Sequence, residues 1–319
     1  MKDDREKLIS PTPGWELSMG LKTWFIATRP WSFVMTMISV SFAAILSYER
    51  AGFDILLYVI TLVGLIIFHA ATNMINDYFD VKHGVDKPDA PTARYRPHPL
   101  LTGSIERGNF LASIAILYLI VFAIAFYLTL LRGYIVMLLT LSGFLFSVFY
   151  TSDPIIFKHR AFGEIAVFLV WGPLIVGGSY YVISGDLSFK PFLASIPIGI
   201  LVALVLLANN LRDAEYDASV DVITIVTKLG REAGLKLYRA LFLLTYITTA
   251  ILIGVGMLSL WCFIVFLTVP KAKSLIDLFK EKIPDAADPL TSQVLLYFGI
   301  LLIIGELINL MVPLKIVLL

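Results

Sequence analysis

The sequence predicts an all-helical, polytopic membrane protein, and three observations carry that reading. Of its 319 residues 58% are hydrophobic and only 15% charged, whereas soluble domains carry about a quarter charged residues. Uncharged runs of about 20 residues, the helical length that crosses a hydrocarbon core of about 30 Å, recur along the whole chain. The 25 Lys and Arg gather in short segments between those runs, where they read as topology signals.

Taken in order, the runs give nine spans, at residues 24–48, 54–76, 109–131, 133–151, 163–184, 191–211, 238–257, 259–279 and 291–313. The segment before Trp24 is polar and does not read as a cleaved signal peptide, so the first span also directs insertion. The seventh and eighth spans come from one uncharged run, Ala240 to Pro270. As a single helix it would extend about 45 Å, too long for most bilayers without strong tilt, and Gly254, Gly256 and Ser259 mark where it should break. Nine spans with a cytoplasmic N-terminus put 21 of the 25 Lys and Arg inside and leave Arg50, Arg132, Lys190 and Lys315 outside. Merging the seventh and eighth would shift that balance to 18 against 7, so the positive-inside rule favours nine.

The net charge of +1 gives no case for nucleic acid. The single Cys262, inside an apolar run, excludes a disulfide framework and a thiol-ligated metal site. Nothing in the sequence sets an oligomeric state. No soluble domain is left over, and residues 1–319 read as one domain.

Two connections, from Asp77 to Gly108 and from Arg212 to Leu237, are far longer than the rest, and long ordered loops tend to be functional. Each opens on a cluster of Asn and Asp at the inner end of a span, an expensive place for carboxylates unless they have partners. The first reads Asn73, Met74, Ile75, Asn76, Asp77, Tyr78, Phe79, Asp80, then Asp86; the second reads Asn209, Asn210, Leu211, Arg212, Asp213, then Asp217 and Asp221. Asn76 and Asp80 are four apart, as are Asn209, Asp213, Asp217 and Asp221, so each set shares a helix face. The interval from Asn76 to Asn209 equals that from Asp80 to Asp213, 133 residues, which suggests two halves facing each other across a cavity.

Crowded carboxylates raise each other's pKa and persist as anions only around a cation. Mg²⁺ suits them, because it takes oxygen ligands from one or two carboxylates together with substrate phosphates. His83 and His98 are the only nearby histidines, which disfavours zinc. A diphosphate held by metals between two such rows becomes a better leaving group. The competing reading, acids that merely solvate loop ends, accounts for either cluster alone. It does not account for two at matching depth and helical spacing on one membrane face. A secondary transporter would also explain polar residues and a two-half echo, but transporter sites lie near the bilayer midplane, whereas both acid rows fall at helix ends.

The stretches NDYFDVKHGVD and NNLRDAEYD, with YTSDPIIFKHRAFGE between them, resemble the UbiA superfamily of intramembrane prenyltransferases. The likeness covers most of the chain. Where the family commonly places a third Asp four residues after its second, this chain has Gly84, with Asp86 two further on. That departure resembles the menaquinone branch, whose acceptor is 1,4-dihydroxy-2-naphthoate. The resemblance implies nine helices around a central cavity, a Mg²⁺-bound isoprenyl diphosphate at the cytoplasmic mouth, the prenyl tail among the helices in the membrane, and an aromatic acceptor, with 4-hydroxybenzoate, haem, a chlorophyll precursor and a glycerol phosphate ether as the alternatives that the sequence leaves open. It also implies metal ligation by Asn76, Asp80, Asp213 and Asp217, with Asp77 close by and Asn209 in the second row. Diphosphate contacts are expected from Arg29, Arg94, Arg96, Lys158 and Arg212, and Tyr150 is expected near the reacting carbon, where its ring would stabilise an allylic cation. His69, Glu164 and Glu306 lie in or beside apolar runs and carry no assigned role.

Overall fold

A computed structural model describes residues 13–51, 53–88, 90–91 and 97–314. Those residues form helices and loops, with no strand among them. The helices are α1 (Pro13–Ala27), α2 (Phe33–Ala51), α3 (Ile55–Lys82), α4 (Arg107–Arg132), α5 (Ile135–Phe149), α6 (Gly163–Leu169), α7 (Ile175–Ser184), α8 (Phe189–Ala194), α9 (Ile196–Ser219), α10 (Ile225–Leu229), α11 (Arg231–Gly254), α12 (Val269–Glu281) and α13 (Ala287–Met311). Seven helical stretches among the described residues are long and apolar enough to cross a membrane. Two further expected spans take other forms: α5 is a shorter apolar helix, and Leu260–Thr268 is a 3-10 helix that runs into α12.

Local chemistry explains the breaks. Pro30 lacks an N–H and disfavours helical geometry in the residue before it, so α1 stops short of it and the chain turns through Arg29, which sits in the left-handed region at φ 54°. Asp54 caps α3 by accepting from the backbone N–H groups of Leu56 and Leu57. Pro173 interrupts the helical ladder between α6 and α7, where Val170–Leu174 widens into a π-turn. The uncharged run from Ala240 breaks where expected: α11 ends at Gly254, Gly256 takes φ 72°, and a 3-10 turn follows Ser259.

The helices close into a ring. α2 packs on α3 and α7, α3 on α4, α4 on α5, and α9 on α6, α11 and α13, while α13 returns to α2. α9 is the most buried of the long helices, and its close approach to α6 and the π-turn that follows depends on small residues. A Cβ at Gly172 would lie 3.2 Å from the Gly199 backbone. Inside the ring is a cavity of about 590 Å³.

Two expectations need correcting. The long connections do not begin at residues 77 and 212, because α3 continues to Lys82 and α9 to Ser219. Helix persists there because the acids find partners within the fold. The acidic motifs therefore sit on the last turns of two long helices, and helical backbone fixes their spacing.

Candidate active site

The lower end of the cavity is lined by Asn76 and Asp80 from α3 and by Asn209, Asn210, Asp213 and Asp217 from α9, so both acid rows face one space. Asp80 and Asp213 are 2% and 5% exposed. Two oxygens stand out. The Oδ1 atoms of Asn76 and Asp80 are buried and have no hydrogen-bond partner among the described residues, which is costly unless a ligand completes them.

Cations from other elements balance the first row. Lys158 Nζ donates to Asp80 Oδ2 at 2.6 Å. Burial alone would lower the pKa of Lys158, but the Asp80 and Asp86 carboxylates outweigh it and hold the ammonium charged above its ordinary range. Arg29 donates to Asp77 Oδ1. The second row is balanced from within its own helix. Arg212 donates to both oxygens of Asp213 at 2.7 Å and to Asn209 Oδ1 at 2.7 Å, and it also pairs with Asp288 on α13.

A turn after α3 explains the departure at Gly84. This glycine takes φ 72°, a conformation that suits Gly at a helix end, and the backbone N–H groups of Val85 and Asp86 return to Asp80 O at 2.8 and 3.1 Å. Asp86 is thereby folded back into the cavity lining. His98 Nε2 lies 3.1 Å from Asp86 Oδ2 and 3.7 Å from Asp77 Oδ1, and these three side chains could together offer metal ligands. Burial would raise the Asp86 pKa, but the His98 hydrogen bond and the Lys158 charge overcome it and hold it below the usual carboxylate range.

Among the described residues, four non-glycine positions adopt positive φ: Arg29, Ile156, Ala161 and Asp221. Arg29 touches Asp77, Ile156 precedes Lys158 by two positions, and Ala161 bonds across to Ile223 O at 2.9 Å. Such conformations persist where surrounding contacts over-determine them and cluster at functional sites. Tyr216 donates to Val85 O at 2.7 Å and so ties the second motif helix to the loop following the first. Glu164 accepts from Asn210 at 2.8 Å and fixes that amide in the lining.

The expected site residues thus fall into three groups. Asn76, Asp80, Asn209, Asp213, Asp217, Arg29, Tyr150 and Lys158 line the one cavity. Asp77 and Arg212 lie behind the lining, as partners of Arg29 and Asp213. Arg94 and Arg96 lie outside the described residues. His98 and Asp288 also reach the site, and neither lies in the two Asn- and Asp-rich motifs.

The profile of the UbiA prenyltransferase family matches residues 36–276. The chain belongs to the UbiA prenyltransferase family. Full-length similarity agrees with this. The chain is 30% identical over 288 residues to UbiA prenyltransferase domain-containing protein 1 of Xenopus tropicalis, covering 88% of this chain and 82% of that one. It is 29% identical over 301 residues to 1,4-dihydroxy-2-naphthoate octaprenyltransferase of Bacillus subtilis, covering 92% and 94%. In fold it resembles a UbiA homologue from Aeropyrum pernix K1, with a TM-score of 0.70 at 17% identity over 88% of this chain and 98% of that one. It also resembles a homologue from Archaeoglobus fulgidus bound to DMAPP and Mg²⁺, with a TM-score of 0.60 at 15% identity over 88% and 99%. This UbiA protein is therefore an integral membrane prenyltransferase.

Proposed function

We propose that this UbiA protein transfers an isoprenyl chain from its diphosphate to an aromatic quinone precursor, with Mg²⁺ held between the two acid rows. The observation that carries the reading is the convergence of both rows on one cavity with the Oδ1 atoms of Asn76 and Asp80 unpartnered among the described residues. An all-oxygen donor set suits Mg²⁺, and Asn76, Asp80, Asn209, Asp213 and Asp217 are the residues to hold it. When bound, Mg²⁺ neutralises charge on a departing diphosphate. The Archaeoglobus homologue bound to DMAPP and Mg²⁺ supports that donor and ion, and the Bacillus relative named for 1,4-dihydroxy-2-naphthoate supports the acceptor class.

The chain's own groups then have separable tasks. Arg29 and Lys158, both on the cavity wall, grip the diphosphate and offset the charge it gains as the allylic C–O bond breaks. Tyr150, also on the wall, offers its ring face to the allylic cation. The electron-rich acceptor ring attacks that cation, a new C–C bond forms, and the ring proton is lost. Asp77 holds Arg29 in place, and Arg212 orients Asp213 and Asn209. The apolar upper cavity shelters the tail and keeps water from the cation. In this reading α5 and the segment 260–281 are also crossings, making nine, with the acid rows and N-terminus cytoplasmic, as the Lys and Arg distribution favours.

The test is incubation of the purified protein with labelled geranylgeranyl diphosphate, Mg²⁺ and a panel of aromatic acceptors, beside Asp80→Ala and Asp213→Ala. Mg²⁺-dependent product from the wild type and its loss in both variants supports the assignment. Turnover indifferent to both substitutions overturns it.

A further inference from the structure

The cavity extends well above the acid rows, and its upper end has a definite construction. On α3 its lining runs from Asp80 up to Thr61, an interval of 19 residues, or about 28 Å of helix at about 1.5 Å per residue. At that upper level the wall is completed by Leu128 near the end of α4, Val136 at the start of α5 and Val182 near the end of α7. These three belong to a packed cluster with Leu57 and Tyr181. The cluster is braced by Arg132, which donates to Val182 O at 2.7 Å and Ile183 O at 3.1 Å, while the Tyr181 hydroxyl donates to Arg132 O. A floor tied down by backbone hydrogen bonds yields less readily than loose side chains.

Two hydroxyls mark the same level. Thr61 and Ser179 both line the cavity, and both oxygens are buried without a hydrogen-bond partner among the described residues. A hydrocarbon chain pressed against them would leave them unsatisfied, which is unfavourable. The apolar compartment therefore ends in packed side chains on one side and orphaned hydroxyls on the other.

We propose that this upper end, formed by Thr61, Ser179, Leu128, Val136 and Val182, is a chain-length stop that sets the donor at about four isoprene units. The inference rests on the prenyl-transfer reading above. An extended isoprene unit has four main-chain bonds of about 1.5 Å each and spans about 5 Å once the zigzag is allowed for. With the diphosphate occupying the lowest part of the cavity, roughly 22 Å remain along the helix axis, which accommodates four units. Eight units would need about 40 Å, so an octaprenyl donor, of the size in the Bacillus relative's name, overruns the stop.

The test is direct binding of geranyl, geranylgeranyl and octaprenyl diphosphates to the full chain in detergent with Mg²⁺. The wild type should bind geranylgeranyl diphosphate about tenfold or more tighter than octaprenyl diphosphate. Leu128→Ala combined with Val136→Ala should shrink that ratio by about fivefold or more. Retained binding of geranyl diphosphate, which does not reach the stop, shows that the variant is folded. Should it fail to fold, Thr61→Val with Ser179→Ala removes the hydroxyls at nearly constant shape and should shift the ratio in the same direction. Equal wild-type affinity for the two long donors, or a ratio unmoved in folded variants, overturns the stop. Failure of all three diphosphates to bind instead overturns the prenyl-transfer reading itself.

Discussion

The two acid rows look alike in sequence but are neutralised in different ways. On α3, Asp80 and Asp77 are balanced by Lys158 and Arg29, which arrive on a short 3-10 turn, Phe157–Arg160, and on the turn before α2, while Asn76 and Asp80 each keep one oxygen unpartnered among the described residues. On α9, Asp213 and Asn209 are clamped by Arg212 from the same helix, with Asp288 adding a second carboxylate. The first row is thus open to a ligand and depends on elements that must be brought to it. In the second, Asp213 and Asn209 are hydrogen-bonded and held in place before any ligand arrives. One side offers free coordination, and the other offers a fixed geometry.

Removing a ligand from either row should have the largest effect. Asp80→Ala and Asp213→Ala are each expected to lower product formation by about 10²–10³-fold, the scale seen when one preorganised electrostatic contact is lost, as measured by radiolabelled product yield at saturating Mg²⁺. A large loss in one row alone would show that the rows are not equivalent partners.

The two cations should then separate. Arg212→Ala strands Asp213 and Asp288 together, so it should cost about 3–5 kcal/mol of stability, read as thermal unfolding in detergent, with little recovery on adding Mg²⁺. Lys158→Ala leaves Asp80 facing the open cavity, so Mg²⁺ should restore most of its thermal stability while activity stays low. Equal Mg²⁺ rescue of both variants would dissolve the contrast between the rows.

His98 supports the first row from behind. His98→Ala should reduce activity by about 10–100-fold, as loss of an outer-layer partner does, with the larger change in the Mg²⁺ concentration needed for half-maximal rate. The smallest effect concerns acid stability. Because Asp86 titrates below its ordinary value of 3.8, its contribution is complete above that value and disappears as pH falls through the lower folded one. Unfolding midpoints between pH 5 and 2 should therefore fall less steeply in Asp86→Asn than in the wild type.

Much of this arrangement was legible in the sequence, for reasons that particular residues make clear. Asn76 with Asp80, and Asn209 with Asp213 and Asp217, share helix faces by four-residue spacing, and the structure puts each set on the cavity wall. Asp77 was grouped with them by adjacency, yet one residue is a rotation of about 100° at 3.6 residues per turn, which carries it out of the lining toward Arg29. The same rotation takes Arg212 behind Asp213. His98 and Asp288 reach the site through long-range folding, one past the Gly84 turn and one from the last helix, and no local periodicity records such contacts. The break between α11 and the 3-10 segment was readable because glycine at positive φ leaves a compositional mark. The corrected starts of the long loops were not, because apolar runs report where lipid ends, and helices continue past that boundary when their polar groups are paired.

The most direct test of the central claim, that both acid rows act on one bound ion and diphosphate, is electron paramagnetic resonance with Mn²⁺ in place of Mg²⁺ and a non-hydrolysable thio analogue of geranylgeranyl diphosphate. The wild type should show Mn²⁺ coupled to phosphorus, and Asp80→Ala and Asp213→Ala should each abolish that coupling separately. Coupling that survives either substitution unchanged would contradict a shared site.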